Sequence, residues 1–224
     1  MTVDPGTASS LGRAGVYWCG GDERWRPPAE VTPLIEAIAA DLCIVGGGFT
    51  GLWTALYVKR LAPAIDVVLL EQFVCGLGSS GRNGGWVNGW QDALPSLVGL
   101  FGAERARWLL EQSVESVNEI ARTVAEGAID CDLTLDGGVT VALSEAQMAR
   151  FEEENAERER YGAGGYVELL DAAAARAACG SPRALGGVVL KTAGGVQPAL
   201  LGQGLRRLAA AAGVRIYEAS PMTD

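Results

Sequence analysis

The feature that most restricts the fold is a run of six residues, Gly46-Gly47-Gly48-Phe49-Thr50-Gly51, set between apolar segments of different kinds. The four residues before it, Leu42-Cys43-Ile44-Val45, are wholly apolar and read as a short buried strand. An apolar helix follows over about residues 50–61 and is closed by Pro63; a second buried strand spans 66–70. The spacing G-x-G-x-x-G decides little by itself in a chain with 31 glycines. Its setting decides more. Strand, glycine turn, helix, strand and then an acid, Glu71, twenty residues beyond Gly51, make a βαβ unit suited to a dinucleotide.

Each position in that unit has a physical reason. Gly46 permits the tight turn out of the first strand, and Gly48 lets the backbone approach a pyrophosphate. Gly51 lets the helix pack closely on the sheet. The helix start at Phe49 and Thr50 offers unpaired N–H groups and a partial positive charge to phosphate oxygens. Glu71, with Gln72 beside it, is placed to accept hydrogen bonds from ribose hydroxyls, and its charge disfavours a 2′-phosphate. The competing reading is a plain glycine turn followed by a strand-end glutamate of no importance.

Composition narrows the function from the other side. The net charge is −9 and no Lys/Arg cluster is present, which argues against a nucleic-acid partner or an anionic membrane surface. The most apolar stretch, residues 34–58, is interrupted by Glu36, Asp41 and the glycine cluster, so it does not read as a membrane span. No secretory signal is visible at the start. The five cysteines, Cys19, Cys43, Cys75, Cys131 and Cys179, are odd in number and widely spaced, so free thiols and a cytoplasmic location are expected. The chain has no histidine. Ser/His/Asp and Cys/His catalysis are thereby removed, and a metal site is not expected.

Residues 1–40 read as an N-terminal arm, anchored by Trp18 and Trp25 and bent by Pro27, Pro28 and Pro33. Residues 76–90 form a second glycine-rich stretch. A long amphipathic helix is expected over about 103–125, with Leu110, Val114, Val117, Ala121 and Val124 on its buried face. Residues 133–143 read as a strand pair turning at Asp136-Gly137-Gly138. Ser144 is expected to cap a charged helix whose run from Glu152 to Arg160 faces water, and Asp171 to cap a helix that stops at Gly180. Pro198 opens a helix ending at Gly213, and Val214 to Glu218 forms a last strand. Cys75 reads as a small buried residue, and Trp86 and Trp90 as packing residues.

The stretch from Ala40 to Ala55, with Glu71 and then Gly81-Arg82-Asn83-Gly84-Gly85, resembles the D-amino-acid-oxidase-type FAD-dependent oxidoreductases, a group that includes glycine, sarcosine and γ-glutamylputrescine oxidases. The late segment from Gly195 to Leu201, followed by Gly213-Val214-Arg215-Ile216-Tyr217-Glu218, is similar to the same family. The resemblance covers about residues 35–224. It implies an α/β fold, a Rossmann-like FAD-binding βαβ domain with the start of an α+β substrate domain and the C-terminal half missing. The implied parts are an arm (1–40), a first FAD-binding segment (41–128), a partial substrate domain (129–195) and a return to the FAD-binding domain (196–224).

By matching position, Gly46, Gly48 and Gly51 hold the pyrophosphate and Glu71 the adenosine ribose. Ser79, Ser80 and Arg82 contact phosphates or the ribityl chain, and Asn83, Gly84 and Gly85 lie near the isoalloxazine. Met222 falls where relatives offer backbone contacts to adenine. The implied reaction oxidises the CH–NH group of a small-molecule amine or amino acid by hydride transfer to flavin N5. The protein supplies position and electrostatics, so no catalytic acid or base is named. The chain stops before the parts that would identify the substrate. Weak FAD retention by the chain alone is therefore expected unless a second polypeptide supplies the missing half. The alternatives are a non-catalytic nucleotide-binding remnant, one half of a split enzyme, and an NAD-dependent enzyme with the same fingerprint.

Overall fold

The computed structural model describes residues 17–20, 22–26, 28 and 31–223. In chain order the elements are α1 (Tyr17–Gly20), β1 (Leu42–Val45), α2 (Phe49–Leu61), β2 (Val67–Leu70), β3 (Trp86–Val87), α3 (Leu94–Phe101) and α4 (Ala103–Glu126). After them come β4 (Gly138–Ala142), α5 (Glu145–Arg160), β5 (Val167–Leu170), α6 (Ala172–Cys179), β6 (Gly186–Leu190), β7 (Gly194–Gly195), α7 (Pro198–Ala211) and β8 (Arg215–Tyr217). They divide into two units. The first holds the described residues up to Gly85 with Val124–Asp132 and those from Val196 onward; the second holds Trp86–Thr123 and Leu133–Gly195.

The first unit is built on a three-stranded parallel sheet in the order β1-β2-β8. Leu42 to Val45 run beside Val67 to Leu70, and Val68 to Leu70 run beside Arg215 to Tyr217. Parallel neighbours need a crossover between them. Here α2 makes one, while α7 leads into β8 and packs against α2. Val67, Val68 and Leu69 are almost wholly buried, as an apolar central strand should be. Leu52, Ala55 and Leu56 of α2 and Leu200, Leu201 and Leu205 of α7 fill the helical layer of this core. Asp66, just before β2, pairs with Arg215 of β8 at 2.5 Å. Gln197 accepts the N–H of Leu200 at 2.9 Å through its side chain, capping α7 ahead of Pro198.

The second unit contains an antiparallel sheet in the order β4-β6-β5. Period-two alternation sends Val188 and Leu190 of β6 to one face, where they meet Ala142, Val167 and Phe151 of α5. Val189 goes to the other face, against Ala175 of α6, Leu170 and Ala184. Among the reasons the helices start where they do, Ser144 accepts the N–H of Gln147 and Asp171 that of Ala174, and Gly180 ends α6 in the left-handed region.

One expectation is corrected. Residues 133–143 do not form a hairpin: only Gly138–Ala142 is a strand, and it pairs with β6, while Thr134 makes an isolated bridge to Gly195. The wholly apolar Gly186–Leu190 segment outcompetes the local partner because it covers both faces of the sheet. The run from Glu152 to Arg160 is mostly solvated, as expected, with one exception: Arg158 is buried, its Nε donating to the carbonyl of Gln91. Trp86 and Trp90 are each about half exposed. Of the arm, Trp25 is buried, and Trp18 donates its indole N–H to the Asn83 carbonyl at 2.8 Å; Pro27 lies outside the described residues.

Candidate functional site

The site residues lie in the first unit, at the C-terminal ends of β1 and β2, where open α/β sheets receive ligands. The ladder between the strands continues one step past β1, as the N–H of Gly46 donates to the Leu70 carbonyl at 2.7 Å. The chain then turns sharply, with Gly46 at φ +101°. A Cβ on Gly51 would stand 2.0 Å from the Gly46 carbonyl oxygen, so helix and turn approach too closely for any other residue.

Glu71 leaves β2 and bends back to this turn. Its Oε2 accepts the N–H of Gly47 at 2.8 Å, and its Oε1 accepts the N–H of Phe73 at 2.9 Å. Its backbone is held by β8 and the segment just beyond it, donating to Tyr217 and accepting from Ser220, each at 2.9 Å. An ionised carboxylate has about four acceptor positions, so two hydrogen bonds leave capacity for hydroxyl donors.

The second glycine-rich stretch folds against the first. Ser80, in a short 3₁₀ turn at Ser79–Gly81, accepts the N–H of Phe49 through its hydroxyl oxygen at 2.8 Å. A Cβ at residue 48 would lie 2.9 Å from Ser80 Oγ, so any larger residue there would displace that hydroxyl. The hydroxyl proton remains for another acceptor. The bend at Gly76 and Gly81 repeats the first, with a Cβ on Gly81 lying 2.1 Å from the Gly76 carbonyl oxygen. Asn83 braces the loop, donating to the Ser80 carbonyl and accepting from the N–H of Gly85. Gly85 in turn accepts the N–H of Val196 at 2.8 Å.

Gly46, Gly48, Phe49, Thr50, Gly51, Glu71 and Ser80 are thus gathered around one turn. Gln72, Ser79, Arg82, Asn83 and Gly84 are exposed beside it. The Arg82 guanidinium is turned onto its own loop, with Nε donating to the Gly78 carbonyl at 3.2 Å. Met222 comes after β8 and is 72% exposed. These groups fit a diphosphate followed by a ribose: the turn presents bare backbone, the helix start carries partial positive charge, and a carboxylate with spare acceptor positions lies next to it.

A pair behind the turn, Glu218 and Arg206, escaped the sequence reading. Glu218, only 1% exposed, receives Nε and Nη2 of Arg206 at 3.0 and 2.7 Å and the N–H of Cys75 at 2.8 Å. This pair holds the Arg206 guanidinium above its usual pKa, and burial, with the nearby Glu218 charge, pushes the Cys75 thiol up as well. Cys75 fills the space behind Gly47, where a Cβ would come 2.4 Å from its Sγ. The available signal was an acid at the end of a strand, the position that drew notice to Glu71. Among the described residues no cluster of three or more His, Cys, Asp or Glu is arranged for a metal ion, and no helix is long and apolar enough to cross a membrane.

Comparison with known proteins points the same way. The chain is 37% identical to γ-glutamylputrescine oxidoreductase of Escherichia coli over 209 residues, 93% of this chain and 47% of that protein. It is 31% identical to the probable oxidoreductase OrdL of Haemophilus influenzae, over 86% of this chain and 44% of the relative. Its fold is similar to L-amino acid deaminase from Proteus vulgaris, with a TM-score of 0.63, 19% identity, and coverage of 92% of this chain and 48% of that one. Glycine oxidase from Bacillus cereus gives a TM-score of 0.58 at 18% identity, over 81% and 46%. The chain spans about half the length of the relatives it matches. The model of the FAD dependent oxidoreductase family matches residues 41–224, and the chain belongs to that family.

Proposed function

We propose that this chain is the FAD-binding half of an oxidoreductase acting on the CH–NH group of a small-molecule amine or amino acid. The observation that carries the reading is the meeting of the glycine turn, the start of α2 and the Glu71 carboxylate at one point. The N–H of Phe49, expected to be unpaired, is held by Ser80 instead, so the N–H groups of Thr50 and Gly51 and the Ser80 hydroxyl proton receive the diphosphate of FAD. Glu71 accepts the ribose hydroxyls while its anchors at Gly47 and Phe73 fix its direction. Ser79, Arg82, Asn83, Gly84 and Gly85 border the rest of the cofactor, and Met222 and Gln72 the adenine end. When bound, FAD supplies the hydride acceptor for amine oxidation.

The substrate class is taken from the names of the relatives, an amine oxidoreductase at 37% identity and amino-acid enzymes among the folds. The chain spans about half the length of those proteins, and the proposal includes a second polypeptide segment that supplies the rest of the flavin and substrate site. The net charge of −9 and the odd, widely spaced cysteines, three of them buried, support a cytoplasmic setting. The test is anaerobic mixing of the FAD-loaded protein, supplied with that second segment, with a panel of amines and amino acids. Bleaching of the flavin bands by one of them supports the reading. Stable FAD binding with no bleaching favours a nucleotide-binding module without turnover, and a preference for NAD over FAD overturns both.

A further inference from the structure

A cavity of about 360 Å³ lies in the first unit, between α7 and the arm residues Trp25, Arg26 and Pro28. Small-molecule sites span roughly 300–1,000 Å³, so this one admits a compact ligand. The arm is fastened where it forms the wall. Trp25 is 6% exposed, and Gln203 of α7 donates its side-chain N–H to the Arg26 carbonyl. Val74 and Cys75, both buried, add apolar lining.

The lining carries three arginines, Arg26, Arg206 and Arg207, and no acid. That runs against the balance of the chain, in which 27 acids outnumber 18 lysines and arginines. Arg206 is neutralised by Glu218 at 2.7 Å. The other two form no ion pair among the described residues. Arg26 Nη1 donates to the Trp25 carbonyl at 3.0 Å, and Arg207 Nη2 to the Gly127 carbonyl at 2.7 Å. A carbonyl aims a guanidinium without cancelling its charge, and each guanidinium has five N–H donors to distribute. Two cations with spare donors therefore border an apolar hollow.

We propose that this cavity binds a small phosphate monoester with an apolar or aromatic body. The charge decides the head group: a phosphate monoester carries about −1.5 to −2 near neutral pH, which matches the two guanidiniums that lack a carboxylate. Their planar forks suit phosphate oxygens, with the free N–H groups of Arg206 beside them. A carboxylate would leave one of the two cations unmatched. Inorganic phosphate would match the charge but leave the apolar lining uncovered. The ligand is distinct from FAD, and the inference does not depend on the cofactor reading.

The experiment titrates this chain with phenyl phosphate and follows backbone amide shifts, with benzoate and inorganic phosphate as comparison probes. Phenyl phosphate shifts Val74, Cys75, Gln203 and Arg207, and binds at least about tenfold more tightly than either comparison. Arg26→Gln and Arg207→Gln each weaken it at least about tenfold, the loss of one charge-assisted contact. Arg105→Gln, in the second unit, removes the same charge and changes the affinity by less than about twofold. Arg26 is exposed, so Arg26→Gln keeps the fold and decides the matter even where Arg207→Gln loosens α7. Saturating ADP leaves the phenyl phosphate affinity unchanged. The proposal is overturned by shifts confined to other surfaces, by equal affinity for the three probes, by undiminished binding in Arg26→Gln, or by competition from ADP, which would put the probe at the glycine turn.

Discussion

The Glu71 carboxylate accepts the N–H of Gly47 at 2.8 Å, so the acid at the end of β2 and the turn at the end of β1 form one rigid corner. A carboxylate fixed this way meets a ribose without first losing rotamer freedom. Glu71→Gln keeps the size, removes the charge and sets an amide NH2 donor against one of the two backbone N–H groups that the carboxylate accepts. It lowers FAD affinity about tenfold to a hundredfold, the range for a charge-assisted hydrogen bond of roughly 1.5–3 kcal/mol. Flavin fluorescence titration of the two proteins checks this.

Gly51 and Gly84 separate glycines required by contact from those that are not. Gly51→Ala drives a Cβ against the backbone oxygen of Gly46, whereas a Cβ at Gly84 meets nothing within 4 Å. The first substitution costs roughly 2–3 kcal/mol and lowers the melting temperature by about 5–10 °C. The second leaves it within about 2 °C. Differential scanning fluorimetry distinguishes them.

Arg206 is the partner that makes a buried Glu218 tolerable. Arg206→Met leaves the carboxylate unpaired and destabilises the unit by about 3 kcal/mol. Replacing both, as Arg206→Met with Glu218→Leu, restores part of that loss, though the N–H of Cys75 is then left without its acceptor. Urea unfolding of the single and double variants measures the difference.

The thiols divide by burial. Cys43 and Cys179 are exposed, while Cys19, Cys75 and Cys131 are buried. A thiol reagent should therefore titrate two groups rapidly in the native protein and all five after unfolding. Burial pushes the Cys19 thiol from 9.0 up to about 11. A thiol kept neutral in the folded state stabilises fully below its unfolded pKa. That contribution is lost as pH rises from 9 to about 11, where the unfolded chain is already ionised. Denaturation midpoints should stay level up to pH 9 with respect to this group and decline above it.

Legibility of the sequence tracked the range of the interactions. Residues 42–71 were readable because strand, turn and helix there are fixed by local rules: an apolar run, a glycine with positive φ, a helix closed before Pro63. The caps at Ser144, Asp171 and Pro198 were readable for the same reason. The pairing of β4 with β6 was not, because the partner lies some fifty residues away and a nearer turn signal at Asp136-Gly137-Gly138 offered a hairpin. At the site, Glu71 was legible by its interval from Gly51, but the bond between Ser80 and Phe49 depends on how the second glycine loop folds back. Cys75 was legible as a small buried residue, but Glu218 and its partner Arg206 were not, since the burial of Glu218 comes from packing around α7.

The central claim is that the turn at Gly46 and the carboxylate of Glu71 hold the adenosine diphosphate portion of a dinucleotide. Its most direct measurement is titration of the isolated chain with ADP, monitored by backbone amide shifts. The shifts should concentrate in residues 46–51 and at Ser80, with binding weakened at least about tenfold in Glu71→Gln. Shifts confined to other surfaces, or equal affinity in the two proteins, would contradict it.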